Sequence, residues 1–301
     1  MTRYEPALDT GSLVAIDVHV HAGVSSRSLE RRDLENIGGA GSTMSRLMDR
    51  EGVAGQTVDE TAAWYRERKL ACCIWGTDPT DALGASPTAV TNDEMIEAAI
   101  RHNDVLIPFV MVDPWGGKRS VREAERLVGM GARGFKFHPP MQGFYPNDRR
   151  LYPIYDVIEA AGVPALFHTG QTAVGQGSRG GGGIYLKYGN PIHLDDLCVD
   201  FPDMPIIMAH PSFPWQEEAL SIAVCKPTAY IDLSGWSPKF FPPLLVQYAN
   251  TLLRDKVLFG SDHPMITADR WMADYEKAGF REEVRERILK DNVAKLLRLV
   301  P

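Results

Sequence analysis

At 301 residues the chain is long enough for one large barrel or two ordinary domains, and it can bury most of its apolar surface without disulfide support. With 44% hydrophobic and 24% charged residues, its composition is that of a soluble globular protein. The net charge of −7 is spread along the sequence without a basic stripe, which argues against nucleic acid, and no stretch approaches the roughly 20 apolar residues that span a bilayer.

Met1 to Ser12 is polar and lacks an apolar core, so no signal peptide is expected. The first strand is predicted over Leu13–Val20. A long segment, Ala22–Gln56, separates it from a helix over Thr57–Lys69 and a strand over Leu70–Trp75. The pattern then alternates. Helix Asn92–His102 leads to strand Val105–Val112, and helix Ser120–Met130, stopped by Gly131, leads to strand Ala132–His138. Helix Arg149–Ala161, stopped by Gly162, precedes strand Val163–His168; a second long segment, Gly170–Asn190, comes before strand Pro205–Ala209. Helix Trp215–Cys225, strand Thr228–Leu233, helix Pro243–Leu253, strand Lys256–Gly260 and helix Arg281–Leu299 complete the chain.

Eight short apolar strands alternating with amphipathic segments over about 300 residues predict an α/β fold of the (β/α)8 TIM barrel type. A doubly wound sheet is the weaker reading, because no G-x-G-x-x-G follows the first strand. No repeat or linker interrupts the pattern, so residues 1–301 are expected to form a single domain. The long segments 22–56 and 170–190 would project from the C-terminal rim, where barrel enzymes keep their chemistry. The four cysteines, Cys72, Cys73, Cys198 and Cys225, form no C-x-x-C pair, and a reduced, cytoplasmic protein is expected.

The chemistry-bearing residues gather at predicted strand ends. In Ile16-Asp17-Val18-His19-Val20-His21, residues two apart share a side, so His19 and His21 aim two imidazoles into one space, as a divalent metal requires. Alone, such a pair could equally bond backbone carbonyls. His168 ends the fifth strand, His210 the sixth, and Asp262 the eighth. In a closed barrel the first and last strands are neighbours, so Asp262 can meet the histidine pair across the seam.

These residues resemble the amidohydrolase superfamily. Gly134–Pro139, with the pattern G-x-K-x-H-P, Ala209-His210-Pro211 and Gly260-Ser261-Asp262-His263-Pro264 are similar, more narrowly, to the amidohydrolase-related branch. That branch contains non-oxidative decarboxylases acting on aminocarboxymuconate semialdehyde and resorcylate, lactonases, and hydrolases that split carbon–carbon bonds. The resemblance runs from about Leu13 to Leu299. It implies one divalent metal, Zn2+ or Mn2+, held by His19, His21, His168 and Asp262, with His210 as proton shuttle or electrophile and Asp262 as a further catalytic group. Zinc would bring bound water toward a pKa of about 7.

Lys136 lies where binuclear relatives carry a carboxylated lysine. Strand alternation puts Lys136 and His138 on one side, as substrate contacts around a single metal, and Phe135 and Phe137 on the other. Trp75, Trp115, Trp215 and Trp236 follow predicted strand ends, which suggests an aromatic rim or ordinary packing beneath loops. Gly180–Gly183 reads as a mobile lid that offers Arg179 and Lys187 to an anionic group.

The leading expectation is a metal-dependent hydrolase in aromatic compound breakdown. Resemblance extends it to retro-Claisen hydrolysis of a hydroxyphenyl β-ketoacyl-CoA thioester. A non-oxidative decarboxylase of an aromatic or muconate-type acid is the alternative, and a catalytically silent binding barrel is the reading from another class. The expected partner is a small molecule, aromatic or acyl-CoA. Pairing into a homodimer or higher homo-oligomer is expected through helices and long loops, with Ala22–Gln56 as the candidate contact.

Overall fold

The computed structural model describes residues 2–27, 53, 55–76 and 89–299. Eight strands, β1 (Ala15–His21), β2 (Leu70–Trp75), β3 (Leu106–Val110), β4 (Gly134–Phe137), β5 (Ala165–His168), β6 (Ile206–Ala209), β7 (Ala229–Asp232) and β8 (Val257–Leu258), follow one another in sequence order. Every adjacent pair is parallel. The seam between the last and first strands is joined by backbone bonds. Val18 N–H donates to the Phe259 carbonyl at 2.9 Å, Asp262 N–H to His19 at 3.0 Å, and His21 N–H to His263 at 2.8 Å. The fold is a (β/α)8 barrel.

The helices alternate with the strands as expected: α1 (Val58–Glu67), α2 (Asn92–Arg101), α3 (Lys118–Met130), α4 (Tyr152–Ala161), α5 (His193–Asp200), α6 (Gln216–Cys225), α7 (Pro243–Ala249) and α8 (Ala268–Tyr275). Helix α1 opens on a capping box, in which Thr57 and Glu60 satisfy each other's backbone amides. Gly131 and Gly162 end α3 and α4 with left-handed backbone. Besides a single helical turn at Pro139–Gln142, two helices were not expected. Helix α5 has only eight residues, and its stripe of Leu194, Leu197 and Cys198 is short enough to pass for loop. Helix α8 is announced by Thr267, whose side chain caps the Arg270 amide.

The single helix expected over Arg281–Leu299 is instead α9 (Glu282–Glu286), a π-helical segment (Arg287–Asp291) and α10 (Asn292–Leu296). Within the π segment the Ile288 carbonyl accepts the Phe259 amide at 2.8 Å, which ties the C-terminal helices to β8. Among the described residues, no helix is long and apolar enough to cross a membrane.

Two apolar layers result. Ile16, Val18, Ala71, Cys73, Ile107, Phe109, Leu166, Ile207 and Leu258 fill the barrel interior, closed by Val293, Ala294 and Leu297 from the C-terminal segment. The alternate residues of the same strands pack outward against the helices. In β1 this alternation is broken. The pairing with β2 advances from Asp17–Cys72 to Val20–Ile74, so β1 carries one extra residue. Ile16 and Val18 face inward, whereas Val20 packs in the outer layer. A bulge of this kind re-aims the side chains beyond it. It turns His19 and His21 into the barrel mouth and leaves Asp17 facing Tyr65 and Ser261.

Candidate metal centre and active site

The bulge in β1 and the turn after β8 bring three ligand atoms together. His19, His21 and Asp262 offer one donor atom each, all within 4.8 Å of one another. Asp262 Oδ1 lies 3.0 Å from His21 Nε2 and 3.3 Å from His19 Nε2. Asp262 adopts φ 73°, a left-handed conformation uncommon outside glycine, and so does His210 at φ 71°. At β6 the reason is visible. Met208 packs outward and Ala209 inward, so a continuing strand would send His210 outward; the left-handed turn directs it into the mouth instead.

A second layer of polar side chains holds this group. His19 Nδ1 lies 2.6 Å from Asp232 Oδ2, and both side chains are buried. Asp232 in turn accepts the Ser234 amide at 2.6 Å. The Ser234 hydroxyl is 2.9 Å from His19 Nδ1 and 2.9 Å from His210 Nδ1. His210 Nε2 lies 3.0 Å from His168 Nδ1, and His168 Nε2 lies 3.2 Å from the Gln171 carbonyl. His168 is therefore outside the close group of three and is joined to it through His210. Its ring stacks on His138 at 3.9 Å between centroids. Lys136, also buried, places Nζ 3.3 Å from His19 Nε2 and 4.8 Å over the Trp75 ring. Trp75 meets both His19 and His21 edge-on.

Burial decides the charge states. It drives His19, His168 and His138 well below the ordinary imidazole range, helped by neighbouring positive charge, and lowers His210 to about 4. These imidazoles are neutral at pH 7. Burial opposes the charge on Asp262 too, but the His21 hydrogen bond and the charge of the surrounding histidines and Lys136 hold its pKa below the usual value. Burial raises Asp232 and lowers Lys136. On the outer side of β1, burial pushes Asp17 up to about 6, although Ser261, His19 and Tyr65 all donate to it.

A cavity of about 590 Å3 opens beside this group and is lined by His168, His210 and Asp262 on the catalytic side. Trp236, Phe240, Ile184 and Met265 supply apolar walls, and Arg270 from α8 adds a cation. The 170–190 segment forms one wall through Gln171–Gly177, Gly181, Ile184 and Leu186. Its ends are tied where Gly170 N–H donates to the Gly189 carbonyl at 2.7 Å. Arg179 is exposed and does not line the cavity. Trp215 and Lys187 line a separate surface hollow with Tyr145 and His193, and Trp115 is 43% exposed. Of the four rim tryptophans, Trp236 lines the cavity and Trp75 supports the histidines. Most of the 22–56 segment, residues 28–52 and 54, lies outside the described residues.

Residues 16–299, from the first strand to the last helix, match the amidohydrolase family model. The chain belongs to the amidohydrolase family. Among curated proteins, fluG of Emericella nidulans is 25% identical over 189 residues, an alignment that covers 57% of this chain but 20% of fluG. Solved structures of similar fold include an uncharacterised TIM-barrel protein of Bordetella bronchiseptica (TM-score 0.73, 22% identity, 94% of this chain and 98% of that one). A dihydroxybenzoic acid decarboxylase of Polaromonas sp., with bound manganese and 2-nitroresorcinol, has TM-score 0.66 at 16% identity over 95% of this chain and 97% of its own. A probable 2-pyrone-4,6-dicarboxylic acid hydrolase of Acinetobacter baumannii, with bound citric acid, has TM-score 0.59 at 15% identity, over 94% and 99%.

The donors of this amidohydrolase fit a divalent cation. Neutral imidazoles and an ionised carboxylate are the states that ligate. Asp232 occupies His19 Nδ1 and leaves Nε2 facing Asp262, the arrangement by which a carboxylate orients a ligating histidine. Asp232 and Ser234 were not singled out from the sequence. The available signal was an aspartate near the end of the apolar run Thr228–Leu233, with a serine two residues on, because a buried acid inside a strand needs a partner. Asp17 carried the same signal in the first strand.

Proposed function

We propose that this amidohydrolase is a metal-dependent hydrolase acting on the carbonyl of an aromatic small molecule. A divalent cation, Zn2+ or Mn2+, would be held by His19, His21 and Asp262, with His168 as the fourth ligand. The observation that carries the reading is the meeting of His19, His21 and Asp262, of which Asp262 also lines a half-apolar cavity beside a neutral His210. Such a cation supplies Lewis acidity, polarising a carbonyl and acidifying water. The chain's own residues do the rest. Trp236, Phe240 and Met265 offer an apolar bed for the substrate. Asp262 would accept the proton of the attacking water and return it to the leaving group, with His210 as the shuttle between them or as an electrophile toward the carbonyl oxygen. Lys136 and His138 do not line the cavity but stand behind it, against His19 and His168. Its finer form, retro-Claisen hydrolysis of an aromatic β-ketoacyl-CoA, puts the oxygen of water into the aromatic acid and releases acetyl-CoA. The free cysteines support a cytoplasmic location.

A second reading, decarboxylation of an aromatic acid, is favoured by the likeness to the manganese-bound dihydroxybenzoic acid decarboxylase. One panel separates them. Chelator-stripped protein reloaded with Zn2+ or Mn2+ is offered aromatic esters, lactones, β-ketoacyl thioesters and hydroxybenzoates in 18O-labelled water. Label in a product carboxylate supports hydrolysis. Release of CO2 from the hydroxybenzoates, with no labelled acid, overturns it in favour of the second reading.

A further inference from the structure

Two backbone amides beside the metal donors meet on one oxygen at the outer side of β1. Asp17 Oδ1 accepts the His19 N–H at 3.0 Å and the Ser261 N–H at 2.9 Å. One amide belongs to a donor of the centre, and the other to the residue before Asp262. The second oxygen, Oδ2, accepts the Ser261 hydroxyl and, at 2.9 Å, the hydroxyl of Tyr65 from α1. Asp17 is fully buried, and these bonds use the whole acceptor capacity of its carboxylate.

The bulge in β1 explains the need for such a group. Between the Asp17–Cys72 and Val20–Ile74 pairs the ladder with β2 is interrupted, and a bulged residue loses its regular backbone partner. An aspartate readily reaches the amide two residues on, and that bond gives His19 N–H an acceptor. The His19 carbonyl meanwhile accepts the Asp262 amide at 3.0 Å. His19 is thus tied to the turn after β8 twice, directly to Asp262 and through Asp17 to Ser261. Backbone amides can only donate, so these ties have one direction whatever protons the imidazoles carry.

We infer that Asp17 is a positioning residue whose Oδ1 sets the spacing of the His19 and Asp262 donors across the seam of the barrel. It does so from behind the site, since Asp17 does not line the cavity. Coordination distances hold to about ±0.2 Å in a genuine site, so slack at this seam weakens metal binding. The inference rests on the reading that these donors hold a cation and on nothing about the reaction that follows.

Substitutions at this one position test it, read by Zn2+ competition against a chromophoric chelator and by the visible spectrum of Co2+-loaded protein. Asp17→Asn keeps the bridge, because its amide oxygen must face the two N–H groups while its NH2 meets the hydroxyls of Ser261 and Tyr65. It should melt at a lower temperature, since those hydroxyls lose their acceptor, yet keep wild-type Zn2+ affinity and Co2+ bands. Asp17→Ala removes the bridge and should bind ~10–100-fold more weakly, the range for losing a group that orients a ligand, with shifted bands. Asp17→Glu keeps the charge but carries the oxygens one methylene farther, and it should weaken binding toward the alanine value. A carboxylate that only supports the fold would leave affinity and bands unchanged in every folded variant. A folded Asp17→Ala with wild-type affinity therefore overturns the inference. So does Asp17→Asn weakened as far as Asp17→Ala, which would make charge, not spacing, the cause. Should Asp17→Ala fail to fold, Asp17→Glu against Asp17→Asn decides, and equal affinities overturn the inference. Wild-type protein that takes up no cation sinks the metal reading and this inference with it. Failure of the hydrolase reading alone shows in the labelled-water panel, with the metal titrations unchanged.

Discussion

Replacing Asp232 by asparagine tests the architecture of the metal centre without knowledge of the substrate. The substitution keeps shape and volume and removes one charge from a fully buried position. The backbone dictates how the new amide must sit. Ser234 N–H donates to Oδ1 at 2.6 Å, so the asparagine oxygen stays there and the NH2 group takes the place of Oδ2 facing His19. Two donors cannot share that 2.6 Å contact. His19 must therefore move its hydrogen from Nδ1 to Nε2, the nitrogen that faces Asp262 and would hold the cation. Loss of such an orienting partner costs ~10–100-fold in metal affinity, or about 1.4–2.7 kcal/mol. The forced tautomer puts Asp232→Asn at the upper end. Competition against a chromophoric chelator measures the Zn2+ affinity directly, with circular dichroism to confirm the fold. A folded Asp232→Asn that binds Zn2+ as tightly as wild type would refute the claim that the carboxylate sets His19.

Two further outcomes follow from the same site. Gly235→Ala places a methyl 2.5 Å from His210 Nδ1 at a residue with φ 74°, so the ring must retreat by roughly 1 Å to reach ordinary contact; misplacement on that scale costs ~100-fold in turnover. The backbone strain adds about 1–2 kcal/mol of destabilisation, and a folded variant with wild-type kcat would contradict this account. Metal-stripped protein should lose stability as pH falls from 6.5 toward 4. Burial lowers His210 to about 4 and moves His19, His138 and His168 in the same direction, so the unfolded chain binds protons there that the folded one refuses. Asp17, raised to about 6, and Asp232, also raised, oppose them, but four imidazoles outweigh two carboxyls. The His210 shift alone corresponds to about 3 kcal/mol. Urea midpoints at pH 7 and pH 5 check the sign; an equal or higher midpoint at pH 5 would count against the buried neutral histidines.

The barrel was legible because its strands are short apolar runs whose period is visible without knowledge of packing; seven fall within the expected spans, and β1 runs one residue beyond, to His21. The helices α5 and α8 were not, since eight residues with one narrow stripe look like loop. At the site, the chemistry-bearing ends of β1, β5, β6 and β8 stood out as histidines and an aspartate after apolar residues. Their orientation did not. Simple alternation would place His19 opposite Val18 and gives no account of why Ile16, Val18 and His19 all lie on the inner side. That depends on one extra residue in β1, a feature set by pairing with β2 across 50 residues of chain. His168 shows a different limit. A strand-end histidine announces a ligand by type but not its hydrogen-bond partners, here His210 and the Gln171 carbonyl, which it would exchange for a cation. Asp232 and Ser234 are not announced by the strand-seven run, because one acid among apolar residues shows its need of a partner only once it is known to be buried.

The left-handed backbone at His210 and Asp262 bears on how such a protein can be improved. Glycine would adopt either conformation with less strain, and each residue forgoes roughly 1–2 kcal/mol to carry its side chain there. A selection for thermal robustness alone would thus favour glycine at 210 and 262, and the hardiest descendants would be inert. Directed evolution on this scaffold therefore has to screen for turnover and heat resistance together, drawing its gains from the outer helices and leaving these two corners of the barrel alone.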